Sequence, residues 1–139
     1  MSDRIELHDS RVVASTHDGA VVLRFCPAYV HHWERATGGW RGEGRRQTAE
    51  IHIEAGSVTA PTGDGPFQIA DGWLQVAEVR FDDLIPAPLT ATGAVQGQLE
   101  LVNGPPLVFT GAGVRVRLTD DGEFVEVLPP EWAPVDEVG

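Results

Sequence analysis

Short runs in which apolar and polar residues alternate are the most regular pattern along the chain. In residues 50–54, Ile51 and Ile53 are separated by charged or polar residues, and residues 95–101 and 114–118 repeat this spacing. Successive side chains of a β-strand point to opposite faces, so each run presents one apolar and one polar face. The pattern predicts three half-buried strands.

Turn-forming residues separate the apolar runs. Asp18-Gly19 and Asp121-Gly122 each lie between two β-prone segments, and Asp-Gly in that position is a strong hairpin signal. Two hairpins are therefore predicted. Asn103-Gly104-Pro105-Pro106 breaks the chain before another short run, because proline has no amide hydrogen to donate to a sheet.

Helical periodicity is absent from every window of about eleven residues, so helix is expected to be minor. Residues 27–35 are expected to form one or two helical turns, and the glycine- and arginine-rich residues 36–46 a mobile loop. Sixteen glycines and ten prolines favour turns over helices. Gly93 and Gly97, on the inward side of their strand, predict a bend or the close approach of another backbone.

These elements predict one all-β domain, residues 1–128, built as an antiparallel curled sandwich or partly closed barrel of about seven to nine strands. Residues 129–139 are predicted to form an acidic, proline-containing tail that folding does not require. The interruption of apolar stretches by proline and polar residues indicates that nothing crosses a membrane.

Charge and composition exclude some functions. All ten basic residues are arginine, which excludes P-loop and pyridoxal chemistry because both need a lysine. The net charge is −11, and residues 120–139 hold seven acids and no base. This disfavours nucleic acid and favours a basic partner. A single cysteine, Cys26, and a charged N-terminus predict a cytoplasmic protein, and Cys26 is expected to be a buried, inert thiol.

Two surface segments are candidates for binding. Trp33, Arg35, Trp40 and Arg41 combine indoles with guanidiniums, as interface hot spots and anion sites do. The alternative is that one tryptophan caps the core and the arginines pair with the acidic tail. The acidic candidates for meeting a basic partner are Asp120, Asp121 and Glu123.

Histidines that lie beside acids are the candidates for metal binding. If a metal is bound, the ligands are expected to come from His52, Glu54, His31 and His8, because imidazole and carboxylate suit zinc, iron or manganese. The alternative is that these residues form the ordinary polar face of a strand. On that alternative, we expect the protein to contain no metal and no other cofactor.

No catalytic residues are predicted. His8, Asp9 and Ser10 are sequence neighbours that point to different sides, so they cannot relay a proton as a triad does. They are expected instead to bond backbone groups and fix how the chain enters the sheet.

Residues 7–10, Leu-His-Asp-Ser, followed by the apolar run of residues 21–25, resemble the start of small, uncharacterised bacterial β-rich proteins, some of which belong to toxin-immunity families. The resemblance covers the first 25 to 30 residues. The first function hypothesis is a non-enzymatic binding protein whose acidic surface recognises a basic protein, as an immunity protein meets a nuclease toxin. The alternative is a β-barrel protein that binds a small ligand or metal through its His/Glu cluster. A protein of this second kind could be an enzyme.

Overall fold

Eleven β-strands and one 3₁₀ turn make up residues 2–134, the part of the chain that this computed structural model describes. The all-β, antiparallel fold is confirmed, with more strands than the seven to nine predicted. Three of the eleven have only three or four residues, too few to show alternation. The strands are β1 (Ser2–Glu6), β2 (Arg11–His17), β3 (Ala20–Ala36), β4 (Gly39–Glu54), β5 (Ser57–Thr59), β6 (Phe67–Val76), β7 (Val79–Asp82), β8 (Leu84–Pro86), β9 (Leu89–Leu101), β10 (Leu107–Leu118) and β11 (Glu123–Val127), and the 3₁₀ turn is Pro130–Trp132.

Six strands pair in a circuit that we call the ring. β2 pairs with β3, β3 with β4, β4 with β10, β10 with β9, and β9 with β6, all antiparallel. β6 returns to β2 through only two residue pairs, Arg11 with Gln68 and Val12 with Phe67. The sheet is therefore curled and partly ring-like.

The two longest strands extend beyond the ring. β3 and β4 have 17 and 16 residues, and a register shift between Phe25 and Ala28 divides the hairpin that they form. Past that shift, β1 pairs with β3, β8 pairs with β1, and β11 pairs with β4. We call β8, β1, residues 28–36 of β3, residues 39–47 of β4, and β11 the distal sheet.

The main core fills the inner side of the ring and continues beneath the distal sheet. Ile51, Ile53 and Phe109 of the ring are buried in one cluster with Ile5 and Val30 of the distal strands. Each fully buried side chain of this size contributes about 1.5–3 kcal/mol of transfer free energy. Because residues of both regions belong to one cluster, its burial stabilises the ring and the distal sheet together.

The three strands predicted from alternation are confirmed, within β4, β9 and β10. The close approach predicted at Gly97 is confirmed as well. A Cβ atom on Gly97 would lie 2.8 Å from the carbonyl oxygen of Trp73 and would overlap the Phe109 ring. Only glycine leaves room for both neighbours.

One predicted hairpin is confirmed and the other is wrong. Asp18-Gly19 joins β2 to β3, which pair with each other. β10 and β11 instead both pair with β4, along residues 49–54 and 43–46 respectively. The Asp120 carboxylate accepts a hydrogen bond from the Thr48 amide at 2.9 Å and holds the connecting loop against β4. The Asp121-Gly122 loop therefore interrupts two collinear strands and does not reverse the chain.

The helical turns expected in residues 27–35 and the loop expected in residues 36–46 are wrong, since both segments are strands of the distal sheet. The glycines of the second segment are the reason. Trp33 packs over Gly42, and the Tyr29 ring passes over Gly44, so the space that each glycine leaves is filled by an aromatic ring from the neighbouring strand.

Cys26 is exposed, so the expected burial of its thiol is wrong. Leu23 and Phe25 take the inward positions of β3, which places Arg24 and Cys26 on the outer side.

The segment after β11 first continues along the edge of the distal sheet. Leu128 is buried and its amide donates a hydrogen bond to the Gly42 carbonyl at 3.0 Å. The chain then makes the 3₁₀ turn and remains described to Pro134. The predicted tail begins within this segment, and its residues 135–139 lie outside the described residues. Within residues 2–134, no helix has the length and apolar character needed to span a membrane.

Candidate functional site

The turn after β1 is fixed by Ser10, as the sequence predicts for this segment. The buried Ser10 hydroxyl donates to the Glu6 carbonyl at 2.6 Å and accepts from the Tyr29 amide at 2.9 Å. The His8 amide donates to the Asp83 carboxylate at 2.9 Å. These bonds set Glu6, His8 and Asp9 beside the outer face of β3.

A cleft of about 460 Å³ lies at this turn. It adjoins a hollow of about 350 Å³, with which it shares Asp9, Pro27 and Arg46, and one of about 300 Å³, with which it shares Glu6 and Trp132. We call the three together the groove. Its lining residues are Glu6, His8, Asp9, Arg11, Pro27, Ala28, Tyr29, His31, Arg46, Gln68, Asp83, Leu84, Glu126 and Trp132.

One wall of the groove is a hydrogen bond across three strands. The Tyr29 hydroxyl of β3 donates to the Glu126 carboxylate of β11, passing over Gly44 of β4. Burial, and then the Glu126 carboxylate, raise the pKa of the Tyr29 phenol above its usual value. The phenol therefore stays neutral and keeps its proton for this bond.

His31 is the most deeply buried polar side chain of the groove. It is 5% exposed, and its Nε2 atom has no hydrogen-bond partner among the described residues. The carboxylate oxygen Oε1 of Glu6 lies 3.6 Å from this nitrogen, beyond hydrogen-bonding distance. A buried nitrogen of this kind carries a desolvation cost that a ligand would relieve.

Aromatic rings hold His31 in place. The Trp132 ring stacks on it at a centroid distance of 6.1 Å and an angle of 11°, and Tyr29 meets it edge-on at 5.7 Å. Trp132 is itself 53% exposed. The 3₁₀ turn after β11 thus supplies one aromatic wall of the groove.

Acids outnumber bases along the groove. Glu6, Asp9 and Glu126 line the main cleft together with Arg46, while Asp83 and Arg11 line the two adjoining hollows. Burial raises the pKa of the Asp83 carboxyl, and the nearby Glu6 carboxylate adds to this effect. The groove therefore presents concentrated negative potential beside exposed aromatic surface.

The metal candidates predicted from the sequence do not converge. His31 and His8 line adjoining parts of the groove, whereas His52 lies eight strand residues along β4 from Gly44, the partner of His31, roughly 26 Å away. Glu54 is farther still along the same strand.

His52 instead belongs to a charged cluster on the ring. Its Nε2 lies 2.8 Å from Glu50 Oε2, and Arg117 donates to the same carboxylate at 3.0 Å. The His52 hydrogen bond, followed by Arg117, lowers the pKa of Glu50 to about 2. The cluster occupies the polar face of neighbouring strands, which is the alternative that the sequence left open.

The four tryptophan and arginine candidates lie along the outer part of the β3–β4 hairpin. Trp33 is fully buried and its ring packs over Gly42 of β4, so it serves packing. Arg35 stacks over the half-buried Trp40 ring at 4.5 Å, and Arg41 is exposed beside Glu34. One tryptophan therefore serves packing, as in the alternative that a tryptophan caps the core. Arg35, Trp40 and Arg41 lie around the tip of the hairpin.

The acidic candidates lie near the groove but have different roles. Asp120 is tied to Thr48 and holds the loop. Asp121 is exposed in that loop. Glu123 pairs with Arg46 in register, which places the Glu123 side chain on the groove side of the sheet.

His32 is occupied by two carboxylates. Its Nδ1 lies 2.5 Å from Asp3 and its Nε2 lies 2.9 Å from Glu34, and this hydrogen bond lowers the pKa of Glu34. With both ring nitrogens engaged, His32 is not available as a base or a metal ligand.

Sequence reasoning missed Glu6, Tyr29, Glu126 and Trp132 as groove residues. Tyr29 lay in the segment expected to be helical, and the other three come from segments whose meeting depends on long-range pairing. The one available signal was the glycine spacing of Gly42 and Gly44, which is typical of a strand covered by aromatic rings. No protein-family model matches the chain, and no solved structure matches its fold.

Proposed function

We propose that this protein is a non-enzymatic binding module that recognises a basic protein partner through β11 and the acidic part of the groove. The observation that carries the proposal is the composition of the β11 edge. Phe124, Val125 and Val127 are 56%, 37% and 73% exposed, and the exposed carboxylates of Glu123 and Glu126 lie among them in the same five-residue strand.

An edge strand with exposed apolar side chains is a template for pairing with another chain. β11 is the end strand of the sheet order and pairs with β4 alone. Its apolar side chains supply contact area, while the carboxylates beside it favour lysine- or arginine-rich partners and speed their association.

Charge complementarity selects the partner class. Residues 120–134 contain five acids and no basic residue, and Glu6, Asp9 and Asp83 extend the negative potential into the groove. A basic protein such as a nuclease toxin fits this surface, in agreement with the resemblance of the N-terminal segment. The proposed setting is the reducing cytoplasm, in which the exposed Cys26 thiol would remain free.

The test uses a labelled peptide of alternating arginine and valine residues, with a glutamate–valine peptide as its counterpart. We expect only the arginine peptide to bind, and we expect its affinity to fall about tenfold when salt rises from about 50 mM to about 500 mM, because exposed charges are screened. Val127→Ser and the Glu123→Gln/Glu126→Gln pair should each weaken binding at least about fivefold.

Val79→Ser and Asp18→Asn are the matched controls. Val79 is a 54% exposed strand valine and Asp18 an exposed acid, and both lie outside β11 and the groove. Equal losses in the control variants and the β11 variants, or binding that does not respond to salt, would refute the proposal.

A further inference from the structure

We infer that Glu6, His8 and Asp9, together with the Nε2 atom of His31, form a site for a divalent transition-metal ion of the Zn²⁺ class. This reverses the expectation of a metal-free protein. It does not rest on the proposed function, because the site and its test involve no partner protein.

The ligand atoms already lie near one another. One ligand atom each from Glu6, His8 and Asp9 falls within 4.8 Å of the other two. These three residues are the one group of this kind in residues 2–134, and they meet because the Ser10 bonds shape the turn around them.

The individual distances fit tetrahedral coordination. Two ligands bound to one ion at about 2.1 Å in a tetrahedron lie about 3.4 Å apart. His8 Nδ1 is 3.4 Å from Asp9 Oδ2, and His31 Nε2 is 3.6 Å from Glu6 Oε1. His31 Nε2 lies outside the group of three, so coordination by all four residues requires side-chain rotation of the exposed His8 and Asp9 towards it.

His31 is an independent indication of a ligand. Its Nε2 is buried without a hydrogen-bond partner and lies 3.6 Å from Oε1 of Glu6, and both residues line the same part of the groove. Metal coordination would satisfy this nitrogen, and the Trp132 and Tyr29 rings already fix the imidazole plane. An acidic surface cluster alone has no such preformed, buried donor.

The donor set selects the class of ion. Two imidazole nitrogens with two carboxylates suit Zn²⁺ and neighbouring transition metals, whereas Mg²⁺ and Ca²⁺ prefer oxygen ligands throughout. Two carboxylates also balance the charge of a divalent ion, and Arg46 lines the same cleft.

The chain carries a natural control at the β2–β3 turn. His17 and Asp18 are likewise sequence neighbours, with His17 Nε2 3.3 Å from Asp18 Oδ2, and no third candidate ligand joins them within the described part of the chain. Asp9 and Asp18 also share a positive φ, of 75° and 50°, so asparagine substitutes equally well at both.

The experiment is calorimetric titration of the chelator-treated full chain with Zn²⁺, with Co²⁺ absorption as a second readout of coordination geometry. We expect one ion per chain and a tetrahedral Co²⁺ spectrum. His8→Gln, Asp9→Asn and His31→Gln should each weaken Zn²⁺ binding at least about tenfold, because loss of even an outer-shell partner costs 10–100-fold.

The His17→Gln/Asp18→Asn double variant should bind Zn²⁺ as the parent does. Should substitution of the buried His31 prevent folding, the exposed His8 and Asp9 variants decide the matter, with circular dichroism confirming that each is folded. The inference is overturned if the parent binds no Zn²⁺, or if the turn variant loses as much affinity as the His8 and Asp9 variants.

Discussion

The ring and the distal sheet share β3 and β4 but bury their residues in different ways. In the ring, β4 places Ala49, Ile51 and Ile53 inward and leaves the polar residues between them outside. In the distal sheet, part of the outer face is buried as well: Trp33 is fully buried, and so is Leu128, whose amide bonds to Gly42, the strand partner of Trp33. Burial of one face of a sheet is enough to form a core, so burial on the second face of the distal sheet needs a separate explanation.

Polar satisfaction differs between the two regions in a way that points to function. Residues 2–134 contain two buried side-chain nitrogens without a partner, His31 Nε2 and Trp33 Nε1, and both lie on the outer face of the distal sheet. Folded proteins rarely leave such groups unpaired. The unpaired buried nitrogens of the described residues are therefore confined to the distal sheet, which is the region that contains the proposed metal ligand His31.

The largest expected effect tests whether the distal sheet has a core of its own. Trp33→Ala removes a fully buried indole from the distal sheet, and Phe109→Ala removes a buried ring from the main core. We expect each to lower the free energy of unfolding by about 3–5 kcal/mol, as large-to-small changes at buried aromatic positions do. Urea unfolding followed by circular dichroism measures both.

The shape of the unfolding transition serves as the control. Both variants should keep a single transition with the urea dependence of the parent, because the main core continues under the distal sheet. A loss below about 1 kcal/mol for Trp33→Ala alone would show that burial of Trp33 adds little to stability. The distal sheet would then have no packed core on its outer face.

The ring could be predicted from sequence because its signal is local. Alternation at Ile51 and Ile53 identifies a strand without knowledge of its neighbours, since one face is apolar and the other polar. In the distal sheet, Gly42 and Gly44 remove that alternation, and their strand becomes recognisable only once Trp33 and Tyr29 are placed opposite them. A glycine-rich segment in isolation indicates a loop.

The site could be predicted only in part for the same reason. His8 and His31 were identified by residue type, and the structural role of Ser10 followed from turn chemistry. Glu126 and Trp132 could not be placed, because their position depends on β11 pairing with β4 across more than seventy residues of chain.

A medium effect tests the glycine explanation. In Gly44→Ala, the new Cβ would lie 2.7 Å from Tyr29 Cζ and overlap its hydroxyl oxygen. We expect a loss of about 1–3 kcal/mol, as overpacking typically costs. Thermal unfolding measures this loss, and Tyr29 fluorescence or chemical shifts report whether the ring has moved.

Gly113→Ala is the matched control in the ring. Gly113 is also a buried strand glycine, but its nearest neighbour to a new Cβ is the flexible Glu54 side chain at 3.3 Å. The change should stay within about 0.5 kcal/mol, or stabilise slightly by restricting the unfolded chain. Equal destabilisation at both positions would mean that the Tyr29 contact does not explain the cost.

The smallest expected effect is a difference in how the stability of the two regions depends on pH. Glu50 of the ring has a folded-state pKa of about 2, below its ordinary 4.5, so its contribution is complete above about pH 4.5 and is lost as the pH falls towards 2. Tyr29 of the distal sheet has a pKa raised above its ordinary 10.0, so its contribution is present below pH 10 and is lost as the pH rises beyond it. Glu50→Gln should cost about 1 kcal/mol at pH 7, because its arginine partners are largely exposed, and nothing near pH 2.

The ionisation of Tyr29 at alkaline pH can be measured without a contribution from any other tyrosine. Tyr29 is the only tyrosine and the chain has no lysine, so phenolate absorbance reports one group. We expect that absorbance to appear above pH 10 in the folded parent and at lower pH in Glu126→Gln, which weakens the repulsion from a neighbouring carboxylate. Glu50→Gln is the control, since it changes the acid limb and should leave the phenolate titration where it is. A phenolate titration at the ordinary pH in the folded parent would mean that the Tyr29–Glu126 bond does not close this wall of the groove in solution.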